Sequence, residues 1–251
     1  MNRDVIKYIA IIAMTLNHIS NIFLDPDTLL GEALLDIGYF TAVTMCYFLV
    51  EGYHYTHSKK KYGQRLLVFA LISQIPFQEA VGAAAFNMLF TLFFCFLILC
   101  AKEYIRRPVE RTVAIICLTA CTLFGDWALL AAVFTLLFDW SRGDKKKTAW
   151  AYGIAFVVFG GINFLSYYMA GDAVGQALLR TLAAGGGIIV SGVIMLCFYN
   201  GKKSPRSGKF DKWFFYVYYP AHLAVLVILR LSLSPFAFVL VPICIFPCPH
   251  L

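Results

Sequence analysis

The chain has 251 residues, of which 61% are hydrophobic and only 14% charged, and its mean hydropathy is +0.75. A water-soluble domain of this length cannot hide so much apolar surface, whereas a polytopic membrane protein leaves it against lipid. The formal charge of +7 and pI near 9.0 raise nucleic acid as a partner, but no basic stretch accompanies a nucleic-acid module, so none is expected. In chain order, apolar segments run at about 5–24, 34–51, 65–81, 86–103, 111–124, 126–140, 148–168, 174–199 and 213–232. A tenth, about 235–247, is broken by Pro242 and Pro247; it spans, re-enters or lies at the interface. The fifth and sixth segments are short, are joined only by "FGDW", and read as a tight helical hairpin. The expected fold is an all-α, polytopic integral membrane bundle of about nine or ten transmembrane helices. It is read as a single domain over residues 1–251, with 233–251 an atypical tail or re-entrant segment. No small-residue cleavage site follows the first segment, which reads as a retained helix rather than a signal peptide.

The charges orient the bundle. With the N-terminus in the cytoplasm, "HSKKKYGQR", "KEYIRRPVER", "SRGDKKK" and "NGKKSPRSGKFDK" all fall inside. "DPDTLLGE", "QEAVGAA", "GDW" and "YYMAGDAVGQ" fall outside. About 19 of the 21 Lys and Arg then lie on the inner side, Arg180 and Arg230 being the exceptions. Topology and anionic lipid heads account for most of this excess; a cytoplasmic site for a phosphorylated ligand is the sharper alternative. Eight cysteines are scattered through apolar runs, where Cys packs as a small hydrophobe. No pair has metal-ligand spacing, and Cys117 and Cys121, four apart on one helix face, are expected to pack in the core.

The first segment contains "MTLNHISNIF", which places Asn17, His18, Ser20 and Asn21 inside an otherwise apolar run. Lys7 and His18 are eleven residues apart. Eleven steps of about 100° return to nearly the same direction, so the two share one helix face about 16 Å apart. Lys7 falls near the cytoplasmic interface and His18 past the midplane. A neutral imidazole in a membrane needs a partner for each nitrogen, and intramembrane ionisable groups usually face a cavity, a partner or a pathway. Interhelical hydrogen bonding is the plainer alternative. The second segment carries Asp36 near its outer end and "EGYHYT" at its inner end. The ninth, "KWFFYVYYPAHLAVLVIL", puts His222 at a depth comparable with His18, beside Pro220, which frees backbone carbonyls. Asp126 reads as an acid at the outer surface, favoured by a helix N-terminus.

The segments "KYIAIIAMTLNHISNIF", "FLVEGYHYTHSKKKYGQRLLVFALISQIPF", "GDWALLAAVF" and "NGKKSPRSGKFDKWFFYVYYPAHL" together resemble the TraX family over about residues 5–230. That family is named for the membrane acetylase that modifies the N-terminus of conjugative pilin. The Lys7-to-His18 spacing also resembles a pattern in wider membrane acyltransferases, with a basic residue, ten positions and a His on the first helix. The resemblance implies acetyl-CoA as a cytoplasmic donor, and an amine or hydroxyl acceptor (a pilin-like peptide or a glycan) at the far side. It also implies a bacterial inner or plasma membrane as the location, with lipid as the surrounding partner and no metal. Family members are expected to carry an acid before this His; here the residue is Asn17, which orients but cannot neutralise. Asp36 is an alternative source of that charge.

On this reading His18 is the general base. Asn17, or another amide or hydroxyl, polarises the thioester carbonyl, and Asp36 and His222 complete the catalytic set. Lys7, Arg65 and Lys61, with Glu51 and Tyr53 of "EGYHYT", form the cofactor-binding set, the basic groups meeting coenzyme A phosphates. Direct transfer and an acyl-His intermediate both fit. Two other classes stay open: a small-solute or proton-coupled transporter, and a non-catalytic membrane assembly factor. Against a transporter, the sequence has no internal repeat.

Overall fold

The computed structural model describes residues 1–26, 28–82, 85–202 and 209–233, with the side chains of 209–212 set aside. The tenth apolar segment lies outside the described residues. Among them the chain forms nine α-helices: α1 (Arg3–Phe23), α2 (Leu29–Tyr55), α3 (Lys59–Val81), α4 (Met88–Tyr104), α5 (Pro108–Cys121), α6 (Leu130–Ser141), α7 (Lys145–Met169), α8 (Val174–Val193) and α9 (Lys209–Leu233). α8 continues as a π-helical turn over Ile194–Phe198. Five helices are long and apolar enough to cross a membrane: α1, α2, α7, α8 with its π turn, and α9 from Trp213. The fold is thus all-helical, and the chain is a multi-pass membrane protein. α5 and α6, at 14 and 12 residues, are shorter than the roughly 20 residues a straight crossing takes.

Local chemistry sets the helix ends. Asn2 Oδ1 accepts the Val5 N–H at 3.0 Å to start α1, and Thr28 Oγ1 accepts the Gly31 N–H at 3.1 Å to start α2. Asn87 Oδ1 takes both Leu89 N–H and Phe90 N–H at α4, and Pro108 opens α5. Gly82 closes α3 at φ 70°, a left-handed conformation that a Cβ disfavours.

Tertiary bonds sort the helix ends into two sets. At one end Met1 N donates to Phe198 O, Arg3 N to Lys202 O and Lys145 Nζ to Leu196 O. There Asp139 of α6 also pairs with His54 of α2 and Lys102 of α4. At the other end Ser20 donates to Gly31 O, Arg180 binds Glu32 and Asp172, and Arg230 donates to Glu79 O. Successive helices therefore alternate in direction, and the basic loops share one end. α2 is the central strut, packed on α1, α8, α6 and α4. Close approach needs small residues: a Cβ on Gly187 of α8 would lie 2.6 Å from Phe40 N of α2. Hydroxyls bond across the same seams, Thr44 with Ser191 at 2.9 Å and Tyr152 with Ser191 at 3.1 Å. α9 packs on α3 and α1, where Phe77, Ala80, Tyr219 and Leu223 form a second apolar cluster. α5 buries no residue, so Cys117 and Cys121 do not pack in the core as expected: Cys117 is exposed and Cys121 half-buried.

Candidate functional site

His18 of α1 and His222 of α9 come from helices 204 positions apart in sequence, and both rings are buried. His18 Nδ1 and His222 Nε2 are 2.8 Å apart. His222 Nδ1 lies 2.9 Å from the Tyr218 carbonyl oxygen. A carbonyl only accepts, so His222 Nδ1 carries a proton and, in the neutral ring, its Nε2 is the acceptor. His18 Nδ1 must then be the donor, which leaves His18 Nε2 as a lone-pair nitrogen. These partners assign both tautomers. Tyr218 stacks on His222 with ring centroids 5.1 Å apart, and its hydroxyl is fixed at 2.8 Å by Thr15 Oγ1. Thr15 donates to Ile11 O, so it accepts from Tyr218.

The His18 ring lines a cavity of about 100 Å³ walled by α1, α2, α4, α9 and the α5–α6 connection. Its polar lining includes Asn17, Thr41, Asp126 and Tyr219; Ile11, Met14, Met45, Leu92, Trp127 and Phe215 give it apolar walls. Asn17 Nδ2 donates one hydrogen bond to Leu35 O at 2.9 Å, and Asn17 Oδ1 accepts from Asn21 at 3.1 Å. Gly38 makes room for this side chain: a Cβ there would come within 2.3 Å of Asn17 Nδ2.

Asp126 belongs to this site, contrary to the surface-acid expectation. α6 begins only at Leu130, so Asp126 is not placed to cap it. The connection instead folds back on the start of α4. Phe86 N donates to Phe124 O, Asp126 N to Phe86 O, and Thr91 Oγ1 to Asp126 O at 2.7 Å. The connection also takes a left-handed backbone at two residues that are not glycine, Trp127 at φ 63° and Leu129 at φ 56°. Such positions cost on the order of 1–3 kcal/mol each and cluster at functional sites. Trp127 stacks on Phe159 at 5.8 Å and packs against Phe134, and burial pushes the Asp126 carboxyl up to about 6. Sequence position hid Asp126 because the pairing that carries it, residue 86 with 125, is a single bridge between two loops.

Asp36 does not supply the acid beside the imidazole. It does not line the cavity, and its charged neighbours are Glu32 and Arg180. It lies two residues before Gly38 on the 100° helix repeat, which turns it away from the face that meets Asn17.

At the basic end, Lys7 Nζ lies 5.6 Å from the Phe48 ring centroid and 5.2 Å from that of Phe215. Phe215 also lines the cavity, so one ring joins Lys7 to the histidine site. Glu51 accepts from Tyr199 Oη at 2.7 Å and sits 3.7 Å from Arg3 Nη1. Arg3 and Arg65 both neighbour Tyr62, and each carries a buried Nε–H with no hydrogen-bond partner among the described residues. Arg3 had not been singled out by spacing; its place here comes from the pairing of the chain start with residues 198–202. Lys61 is exposed one turn before Arg65. Tyr53 faces elsewhere: it is buried, donates to Glu103 at 2.7 Å, and carries Lys59 over its ring at 4.3 Å.

Residues 2–230 match the TraX protein family. The chain is also 31% identical over 242 residues, 91% of its length and 96% of the relative, to the probable fimbrial assembly protein FimC, serogroup H1, of Dichelobacter nodosus. No solved structure matches it. On this match across nearly its whole length, the chain belongs to the TraX family.

Proposed function

We propose that the protein is an integral membrane acetyltransferase that moves an acetyl group from cytoplasmic acetyl-CoA to an amine or hydroxyl acceptor at the extracytoplasmic side. A pilin-like peptide N-terminus or a glycan is the acceptor class, in keeping with the name of the FimC relative as a probable fimbrial assembly protein. One observation carries this reading: the relay from the Tyr218 carbonyl through His222 to His18 leaves a proton-accepting nitrogen beside an intramembrane cavity. At about 100 Å³ that cavity has room for an acetyl group.

In this mechanism the acceptor lone pair attacks the thioester carbon and His18 Nε2 takes the acceptor's proton. The new N–C or O–C bond forms, the C–S bond breaks, and the imidazolium returns the proton to the departing thiolate sulfur. His222 is a positioning residue: it fixes the His18 tautomer and shares the positive charge that develops there. Lys7, Arg65 and Arg3 hold phosphates at the basic end, where two buried guanidinium N–H groups lack partners among the described residues. Phe215, shared by Lys7 and the cavity, lies along the path of the pantetheine arm.

The test is label transfer. Wild-type membranes given acetyl-labelled acetyl-CoA incorporate label into peptide or glycan, and His18→Ala membranes do not. Incorporation by His18→Ala at the wild-type rate eliminates the role given to His18. Uptake of an intact labelled solute into vesicles without thioester consumption replaces the enzyme with a transporter.

A further inference from the structure

Resting on the acetyl-transfer reading, a second catalytic residue emerges from the wall of the same cavity. Tyr219 is 5% exposed, and its hydroxyl has no hydrogen-bond partner among the described residues. It lines the cavity with His18, and the two ring centroids are 6.4 Å apart. A buried hydroxyl without a partner is costly and calls for an explanation, and one that lines a cavity is suited to a ligand there. The start of α4 points to the same conclusion. Asn87 satisfies the N–H groups of Leu89 and Phe90 through its side chain, and its carbonyl takes Thr91 N–H. The capping residue gives nothing to Met88 N–H, which lies beside the Tyr219 hydroxyl. A positive helix end and an unpartnered O–H therefore meet at one wall of a cavity that His18, whose Nε2 is an acceptor, also lines.

We infer that the Tyr219 hydroxyl, backed by the N-terminus of α4, is the donor that binds the acetyl carbonyl oxygen and stabilises its developing negative charge. Asn17 fits this task less well, because one of its two amide N–H groups is spent on Leu35 O and its Oδ1, which accepts from Asn21, cannot donate. Tyr219 keeps its proton throughout; the proton that moves is the acceptor's, which goes to His18 and then to the sulfur. The nearby Asp126 carboxylate matches the other half of the same charge separation, the nitrogen of an amine acceptor that turns positive as it attacks.

The experiment is isotope-edited infrared spectroscopy of carbonyl-labelled acetyl-CoA bound to the full chain in lipid nanodiscs. In wild-type protein the bound carbonyl band moves to lower wavenumber than in free acetyl-CoA. In Tyr219→Phe the band returns to the free position with donor affinity unchanged, and label transfer in membranes falls about 10²–10³-fold, the usual loss of one oxyanion donor. Tyr219→Phe gives up little beyond the approach of Met88 N–H to the hydroxyl, so folding is expected to survive. If it does not, a fluorinated tyrosine at position 219 keeps the hydroxyl and makes it a stronger donor, which moves the band further down. An identical bound band in wild type and Tyr219→Phe, or an unmoved band with the fluorinated residue, overturns this inference and leaves the base role of His18 standing. Wild-type protein that binds no acetyl-CoA overturns the donor reading and this inference with it.

Discussion

The arginines at the two ends of the bundle are bonded in opposite ways. At one end Arg180 donates to Glu32 at 2.6 Å and Asp172 at 3.0 Å and lies over Tyr167 at 4.4 Å. Arg230 donates to Glu79 O at 2.6 Å and Ala80 O at 3.4 Å. Both tie one helix to another, α8 to α2 and α9 to α3. At the other end Arg3, although 3.7 Å from Glu51, and Arg65 each keep a buried Nε–H without a partner among the described residues. A guanidinium whose donors are occupied serves the fold. One that is buried with a donor left over is suited to an anion that comes and goes. The two basic residues that charge sorting left on the outer side are thus the structural ones, and the arginines suited to ligand stand among the basic loops.

Substitutions can break this contrast, and the largest effect is expected at neither arginine set but at the site between them. His18→Ala should lower acetyl transfer by about 10²–10⁴-fold, measured as label incorporation per unit of protein in membranes. Arg65→Ala comes next: a charge-assisted bond to phosphate gives about 1.5–3 kcal/mol, so the KM for acetyl-CoA should rise about tenfold or more while kcat holds. Arg180→Ala should do the reverse, leaving that KM alone and lowering the thermal midpoint in detergent. Because its pairs are only partly buried, the loss should be about 1–2 kcal/mol. If Arg180→Ala raises the KM and Arg65→Ala melts the protein early, the contrast is inverted.

Two further substitutions sharpen it. Gly38→Ala puts a methyl within 2.3 Å of Asn17 Nδ2 and should lower stability by about 1–3 kcal/mol, with a loss of activity from the displaced Asn17. A denaturation midpoint equal to wild type would show that α1 and α2 yield at this contact. Asp126→Asn should act through pH. Burial holds the folded carboxyl up at about 6, against 3.8 for the free group. The folded state therefore binds more protons across that window, and wild-type stability falls as pH rises from about 4 through 6. Asp126→Asn removes the titration, so its midpoint should exceed wild type at pH 7.5 and match it more closely at pH 4. A constant difference across that range would mean that the carboxyl titrates normally.

Much of this architecture is written in the sequence because hydropathy and charge are local. The first nine apolar segments each correspond to a helix, and the starts of α1, α4 and α7 lie within a few residues of the caps at Asn2, Asn87 and Asp144, whereas Ser58 caps α3 well before its apolar stretch. α2 ran longer than its apolar core, since Thr28 caps it well before the hydrophobic stretch begins. His18 and His222 were legible as intramembrane polar groups; that they touch each other was not, because contact between α1 and α9 is a property of packing. Asp126 was misjudged for a related reason. Its loop is short and polar, which reads as surface, yet it is pulled inward by Phe86 and Thr91. Asp36 was named as the acid for His18 only because Asn17 stands where the resemblance implies one, whereas azimuth on α2 directs it to Arg180. Depth is readable from distance along a helix, but azimuth between helices needs the pattern of small residues, such as Gly38 and Gly187, that decides which faces meet.

The left-handed turns at Trp127 and Leu129 have a mechanical consequence. A backbone held away from its resting torsions recoils when its restraint is removed. The restraints are the Thr91 hydroxyl on Asp126 O, the bridge to Phe86, the Thr122 hydroxyl on Leu129 N–H and the packing of the Trp127 ring on Tyr39, Phe134 and Phe159. Loss of one of them, by Thr91→Ala for instance, should let the two torsions relax and shift Asp126 against the cavity, so the acid in that wall is only as well placed as the loop that carries it.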